Sequence, residues 1–417
     1  MLPLLHTFLD KVVRKGTLEV ETNSGSRFTV GDGSGDRIAV RLTNAAAARQ
    51  LLLRPELALG ELYMDGRLVV TQGSIYDLIV LLACNLWSGS TPGIARAYKK
   101  VRTALRPLHQ RNTARRAKRN VAHHYDLDGR LYRFFLDPDM QYSCAYFEHR
   151  DQRLEEAQLA KKRHIAAKLL IEPGHHVLDI GSGWGGLALY LAEYCSAQVT
   201  GITLSDAQLE YARRRAKNDG LTARVNFLGL DYRVTAGSFD RLVSVGMFEH
   251  VGLGYYGAFF RRVAELLADD GVMLLHTIGR ADGPNATNPW IAKYIFPGGH
   301  APALSEMLPS IERAGLIVTD VEILRLHYAE TLKAWRERFL ARRDHARALY
   351  DERFCRMWEF YLAMVECGFR HGGLTVFQIQ LAKCLDAVPF TRDYIGAREQ
   401  QLRAMEMRQF GTSIAAE

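Results

Sequence analysis

Five residues spread along the chain have types suited to a single chemical site: Asp179, Thr203, Asp231, Glu249 and His276. Each falls at or just beyond the end of a short apolar run, and in an open α/β sheet ligands bind at the carboxyl ends of the strands. The first run, His176 to Ile180, passes into Gly181-Ser-Gly-Trp-Gly-Gly186. Glycines at that point let backbone approach a ligand closely, and the helix that follows offers unpaired N–H groups. The spacing matches G-x-G-x-x-G, which leaves a nicotinamide dinucleotide open. Asp179 argues for a different ligand, because an acid just before the turn repels a pyrophosphate and suits a cation. A turn that merely joins a strand to a helix is the remaining reading.

To gather these residues the chain needs alternating strands and helices. Apolar patterning predicts strands at 176–180, 198–202, 224–228, 239–245 and 271–277, with helices over 155–170, 187–192, 205–217 and 255–267. Ser205 stands as the N-cap of the third helix, with Gln208 in its first turn. This is a doubly wound α/β pattern. Ahead of it, residues 1 to about 95 read as a small α+β domain: a helix over 2–13, strands at 17–21, 27–30 and 38–42, and helices over 44–53 and 74–87. Beyond the sheet, a strand from Ile317 closing at His327-Tyr328 is expected. Long helices rich in aromatics are expected over 331–384, and a further helix over 398–410. Most of those aromatics read as core, and together they could also wall an apolar substrate.

A chain of 417 residues, 48% hydrophobic and 24% charged, has room for two or three domains with a sizeable core. The formal charge of +8 favours an anionic partner. No acidic residue occurs from Leu78 to Tyr125, a span that carries a basic run from Arg96 to Arg119. Such a run is either a linker or a patch for anionic headgroups or nucleic acid phosphates. The six cysteines show no paired short spacing, which excludes a disulfide framework or zinc site by pattern and suits a reducing cytoplasm. No metal site is expected. The most apolar stretch, Ile75 to Trp87, is interrupted by Asp77 and falls short of the roughly 20 residues a membrane span needs. Membrane contact is therefore expected to be peripheral.

The loop pattern around Asp179 resembles that of class I methyltransferases, which bind S-adenosylmethionine (SAM). The wider motif set resembles the cyclopropane-fatty-acyl-phospholipid synthases and mycolic acid cyclopropane synthases. It comprises His124-Tyr-Asp126, Met140-Gln-Tyr-Ser-Cys-Ala-Tyr146, Val177 to Gly181, Gly183 to Gly186 and Gly201-Ile-Thr-Leu-Ser205. Asp231-Tyr-Arg233, Ser244 to Val251, Leu275 to Gly279 and Trp290 to Phe296 complete it. The match covers about 121 to 385, and Gly60 to Gly66 resembles the small N-terminal domain of the phospholipid enzymes. The resemblance implies a Rossmann-like class I methyltransferase with a helical cover over an acyl site. It divides the chain into an N-terminal lipid-associated domain (1–95), a basic linker (96–120) and a catalytic domain (121–417).

The implied reaction adds a methylene from SAM across the cis double bond of an unsaturated phospholipid acyl chain. A sister activity on the same alkene ends in a methyl-branched or methylene chain. In the family a bound bicarbonate acts as base, which carries over to Cys144, Glu249, His276 and Tyr328, with Ile278 contributing backbone. A carboxylate beside bicarbonate repels it unless a proton is shared, so Glu249 is expected to orient His276 or to share that proton. For SAM, the positions carried over are Gly181 and Gly183 at the methionine end, Thr203 and Gln208 near the ribose, and Asp231 with Tyr232 near the adenine. Tyr142 and Ser143 match the N-terminal contacts, and Asp179 precedes the turn. Each has a plainer reading as well: Cys144 as a buried thiol, His276 as a core histidine. His250 reads as structural. Ser182 stands where relatives often have cysteine, and the doubled His123-His124 departs from the usual wording. The expected setting is the cytoplasm at the inner membrane, against anionic lipid, without nucleic acid; a homodimer is left open. An RNA methyltransferase and a non-catalytic lipid-binding protein are the rivals from other classes.

Overall fold

The computed structural model describes residues 2–87 and 128–414. The basic run and the His124-Tyr-Asp126 motif lie outside them. The described residues divide into two compact units, one drawn from 2–87, 285–297 and 328–374, the other from 128–284, 298–327 and 375–414.

The first unit begins with α1 (Leu2–Val12) and the strands β1 (Thr17–Glu21), β2 (Arg27–Val30) and β3 (Arg37–Leu42). Then come α2 (Ala45–Leu53), α3 (Pro55–Met64), β4 (Leu68–Gln72) and α4 (Ile75–Trp87). The sheet order is β2-β1-β3-β4, with β1 parallel to β3 and the other pairs antiparallel. Alternation in β1 buries Leu18 and Val20. Asn44 starts α2 by accepting the Ala47 N–H at 2.9 Å. Strand β4 was not expected from the sequence.

The sequence expectation put residues 285–297 and 328–374 in the catalytic domain, but in the structure they pack with this N-terminal unit. They fold as α10 (Pro289–Tyr294), α12 (His327–Ala341), α13 (Arg343–Leu349) and α14 (Glu352–Arg370). Their aromatics are core: Trp290, Trp335, Trp358, Phe360 and Tyr361 are all buried, and Trp290 packs edge-on against Phe360 at 4.7 Å. Gly60 makes room for that pair. A Cβ there would stand 2.4 Å from the Trp290 indole nitrogen and 2.8 Å from Phe360. Alanine favours a helix by about 1 kcal/mol over glycine, but overpacking a rigid ring costs up to about 3 kcal/mol. Gly60→Ala should therefore lose about 1–2 kcal/mol of stability, read as a lower urea midpoint; an unchanged midpoint would show that the indole moves freely.

The second unit opens with α5 (Gly129–Arg133) and α6 (Leu154–Lys168). The doubly wound series follows: β5 (His176–Ile180), α7 (Gly186–Tyr194), β6 (Gln198–Ile202), α8 (Asp206–Asn218), β7 (Val225–Leu228), β8 (Phe239–Val245), α9 (Tyr256–Leu266) and β9 (Leu267–Arg280). It ends with α11 (Leu304–Arg313), β10 (Ile317–Ile323), β11 (Leu374–Ala382) and α15 (Asp393–Ile414). The seven-stranded order is β10-β11-β9-β8-β5-β6-β7. Strands β7, β6, β5, β8 and β9 run parallel, while β10 and β11 pair antiparallel. Winding reverses between β5 and β8, so the carboxyl ends of those two strands form the ligand crevice.

Two sequence expectations fail here. The strand from Ile317 stops at Ile323; Leu324 then donates its N–H to Val376, and His327 turns into α12. Tyr328 thus sits in a first helical turn. Residues 374–382, expected as helix, form β11. Val376, Phe377, Gln378, Ile379, Gln380 and Leu381 are buried on both faces of the sheet, which erases the polar-apolar alternation of a half-exposed strand. Among the described residues no helix is long and apolar enough to cross a membrane.

Candidate active site

The turn after β5 is held open by backbone geometry. Gly181, Gly183 and Gly185 have φ of +89°, +55° and +86°, a region that penalises side chains. A Cβ on Gly181 would lie 2.8 Å from Cβ of Met247, and one on Gly186 would lie 2.4 Å from Nε2 of Gln141. The N–H groups of Gly181 and Ser182 donate to the Ile202 carbonyl at 2.9 and 3.0 Å, which ties the turn to the end of β6. There the Thr203 hydroxyl donates to Oε1 of Gln208 at 3.1 Å, and Ser205 caps α8 by accepting the Gln208 N–H at 3.3 Å. The cap is what brings Gln208 beside Thr203. Past β7, the Asp231 carboxylate is gripped by Arg233 through Nε at 2.8 Å and a terminal nitrogen at 2.6 Å. Tyr232 packs edge-on against Phe259 at 5.1 Å.

A fourth wall comes from the segment before α6. Asp137 accepts the Gln141 N–H at 2.9 Å and turns the chain back; burial first, then Asp139, raises its carboxyl to about 6. Tyr142 stacks edge-on against Tyr132 at 5.4 Å, and Ser143 accepts a hydrogen bond from Nζ of Lys161 at 2.8 Å. All nine cofactor positions carried over in the sequence, namely Tyr142, Ser143, Asp179, Gly181, Gly183, Thr203, Gln208, Asp231 and Tyr232, line one cavity. Asp179 is 2% exposed, and burial pushes its carboxyl up to about 7.

The candidate acid–base residues lie elsewhere. Glu249 follows β8 in a short 3₁₀ turn, with Oε1 accepting the Ile278 N–H at 2.6 Å. Its Oε2 is buried without a partner among the described residues. Burial raises the carboxyl to about 7. His276, near the end of β9, is 2% exposed and receives Nε2 of Gln378 on Nδ1 at 3.2 Å. Burial lowers this imidazole to about 3, so it is neutral. Cys144 is buried, its thiol donating to the Ala145 carbonyl at 3.3 Å. Tyr328 belongs to the first unit, where it packs against Trp335 and Phe369.

Glu249 therefore does not orient His276; it orients the Ile278 peptide, and Gln378 holds the imidazole. Ile278 likewise spends its N–H on Glu249 rather than leaving it for a ligand. His250, read as structural, lines the cavity, and burial lowers it to about 4. Sequence reasoning also missed Lys161, Trp184 and Met247 as lining residues. Trp184, inside the glycine turn, and Met247, beside Glu249 at a strand end, had a usable signal; Lys161, within a helix, had none. No cluster of metal-binding side chains occurs among the described residues.

The family model described as mycolic acid cyclopropane synthetase matches residues 112–379. The cyclopropane-fatty-acyl-phospholipid synthase of Escherichia coli K12 is 39% identical over 345 residues, spanning 82% of this chain and 87% of that protein. The tuberculostearic acid methyltransferase UfaA1 of Mycobacterium tuberculosis is 36% identical over 360 residues, spanning 81% of each. Among solved structures, the mycolic acid cyclopropane synthase CmaA1 complexed with SAH and CTAB aligns with a TM-score of 0.61 and 34% identity. That alignment covers 65% of this chain and 99% of the other. The chain therefore belongs to the mycolic acid cyclopropane synthetase family and is a SAM-dependent methyltransferase with the class I fold.

Proposed function

We propose that the protein transfers a one-carbon unit from SAM to the cis double bond of an unsaturated phospholipid acyl chain and closes a cyclopropane ring. SAM, when bound, supplies an electrophilic methyl on a sulfonium. The cavity at the β5–β8 crevice fits it: the strained glycine turn admits backbone contact, Asp179 suits a cation, and Thr203 with Gln208 suits ribose hydroxyls. An alkene is a weak nucleophile, so what these residues contribute is position and exclusion of water.

Ring closure requires that the new methyl group lose a proton. The observation that carries the reading is the buried, unpartnered Oε2 of Glu249 on a carboxyl raised to about 7. A group with that value takes up or releases a proton near neutral pH. Bicarbonate, when bound, supplies the base. Glu249 and the neutral imidazole of His276 have the capacity to hold such an anion, with Cys144 as a further candidate, while Tyr328 rests on the family resemblance alone. The Ile278 N–H, already donated to Glu249, does not.

The same site serves a second reading, methylation of the alkene to a methyl-branched or methylene chain, favoured by the likeness to the tuberculostearic acid enzyme. We place the protein on the cytoplasmic face of the inner membrane, docked on anionic lipid through its basic run, without a nucleic acid substrate; a homodimer is compatible with this. The test is incubation of purified protein with vesicles of unsaturated phospholipid and methyl-labelled SAM, with and without bicarbonate. Ring protons by NMR, a gain of one CH₂ by mass spectrometry and stimulation by bicarbonate are expected. Olefinic methylene or branched methyl signals would move the assignment to the second reading, and unconsumed SAM would end both.

A further inference from the structure

Lys161 is fully buried near the middle of α6, and it lines the same cavity as Asp179. Its ammonium donates to Oε1 of Gln141 at 2.6 Å and to the Ser143 hydroxyl at 2.8 Å. Both partners are neutral oxygens. Among the described residues it has no carboxylate within 4.0 Å, whereas its neighbour Lys162 pairs with Asp139 at 2.7 Å. Asp179 is equally buried and also makes no ion pair within that distance among the described residues. An ammonium or carboxylate taken out of water costs several kcal/mol unless an opposite charge meets it. One cavity thus holds a buried ammonium and a buried carboxyl with no direct ion pair between them among the described residues, although each feels the other's field and Asp137 and Asp139 act on the lysine as well.

Side-chain orientation shows where the cation is aimed. Gln141 cannot turn its amide away, because its Nε2 donates to Asp139 at 2.9 Å, and Asp139 is fixed by Lys162 and by Arg215 at 2.5 Å. Its Oε1 is therefore committed to Lys161. A serine hydroxyl that accepts from an ammonium keeps its own proton to give, so Ser143 passes the positive field on to whatever sits beyond it. Burial lowers the lysine to about 8, which still leaves it mostly charged at neutral pH.

We propose that Lys161 is the cation that recognises the carboxylate at the amino-acid end of the cofactor, directly and through Ser143, while Asp179 takes the ammonium. This rests on reading the cavity as the SAM pocket. The two groups are then a matched receptor for a zwitterion, and each gains a direct ionic partner only when the cofactor enters.

The test measures binding rather than turnover, so it does not depend on the lipid product. Calorimetry would compare S-adenosylhomocysteine, its decarboxylated analogue and 5′-methylthioadenosine on the wild-type chain, Lys161→Met, Lys161→Arg and Ser143→Ala. A charge-assisted contact is worth about 10- to 100-fold in affinity, so the wild type should prefer S-adenosylhomocysteine to the decarboxylated analogue by about that factor. Lys161→Met should lose the preference by weakening only S-adenosylhomocysteine; Lys161→Arg should retain part of it, and Ser143→Ala should lower it. Methylthioadenosine, which lacks the amino-acid end, should bind all four alike. Equal weakening of all three ligands would mean that Lys161 merely shapes the pocket, and an undiminished preference in Lys161→Met would overturn the proposal outright. An undiminished preference with a higher bicarbonate requirement for turnover would assign the lysine to that anion instead. If Lys161→Met does not fold, the Ser143→Ala preference decides. Failure of the wild type to bind S-adenosylhomocysteine would instead refute the pocket itself.

Discussion

Glu249→Gln is expected to lower turnover by at least about 100-fold while changing SAM affinity by less than about twofold. The amide carbonyl can still accept the Ile278 N–H, so the loop stays in place. What is lost is the ability to take up a proton at the Oε2 position, which has no other partner among the described residues. Stability should respond in the opposite sense. The folded-state carboxyl, at about 7, lies above the ordinary value of 4.5. Its favourable contribution is therefore complete below about 4.5 and is lost as pH rises through about 7. Glutamine removes that loss, so the variant should gain on the wild type in thermal midpoint between pH 5 and about 8. His276 and His250, both lowered by burial, act with the opposite slope and are present in both chains, so the difference between the two isolates Glu249. Wild-type turnover in the glutamine variant would remove Glu249 from the proton path.

Gly181→Ala should abolish measurable SAM binding and destabilise the chain. A side chain at φ +89° costs about 1–2 kcal/mol, and moving Met247 away from a 2.8 Å approach adds about 1–3 kcal/mol. The sum, about 2–5 kcal/mol, corresponds to a drop of at least several degrees in thermal midpoint at about 2–4 °C per kcal/mol. Gly183→Ala is the control for strain without collision. Its φ of +55° also disfavours a side chain, but the nearest atom to a Cβ there is Nε2 of Gln208 at 4.0 Å. It should cost about 1–2 kcal/mol and leave more of the binding intact. Equal losses in the two variants would show that conformation alone, rather than the contact with Met247, shapes the turn.

What could be read from the chain follows a pattern. The strands at 176–180, 198–202 and 239–245 fall where apolar runs predict them, and Ser205 caps α8 as its place before Asp206 implies. Of the nine cavity positions, Asp179, Thr203 and Asp231 were legible as strand ends; the other six were carried over from the family resemblance. The region from 317 to 384 was not legible. Strand β11 is buried on both faces, where the Gln378 amide nitrogen meets His276 and that of Gln380 donates to the Lys168 carbonyl and Tyr394.

Helix α6 marks the boundary most sharply. Its Lys161-Lys-Arg-His164 and Lys168 are all buried despite their polar side chains. Arg163 pairs with Glu406 and Glu148, His164 lies between Glu322 and Glu399 at 2.7 Å each, and Lys168 meets Glu322 and Asp320. Those partners arrive from β10 and α15, more than 150 residues further on except for Glu148. By itself the sequence determined the strand-turn-helix units and the residue types at their ends, because hydrogen bonding and steric preference act over a few residues. Only the tertiary structure decided which charges lose their water and which of those find a counterion, so that Lys161 and Asp179 are buried without a direct ion pair among the described residues and Oε2 of Glu249 without a hydrogen-bond partner. Desolvation depends on what packs above a residue, and that comes from elsewhere in the chain.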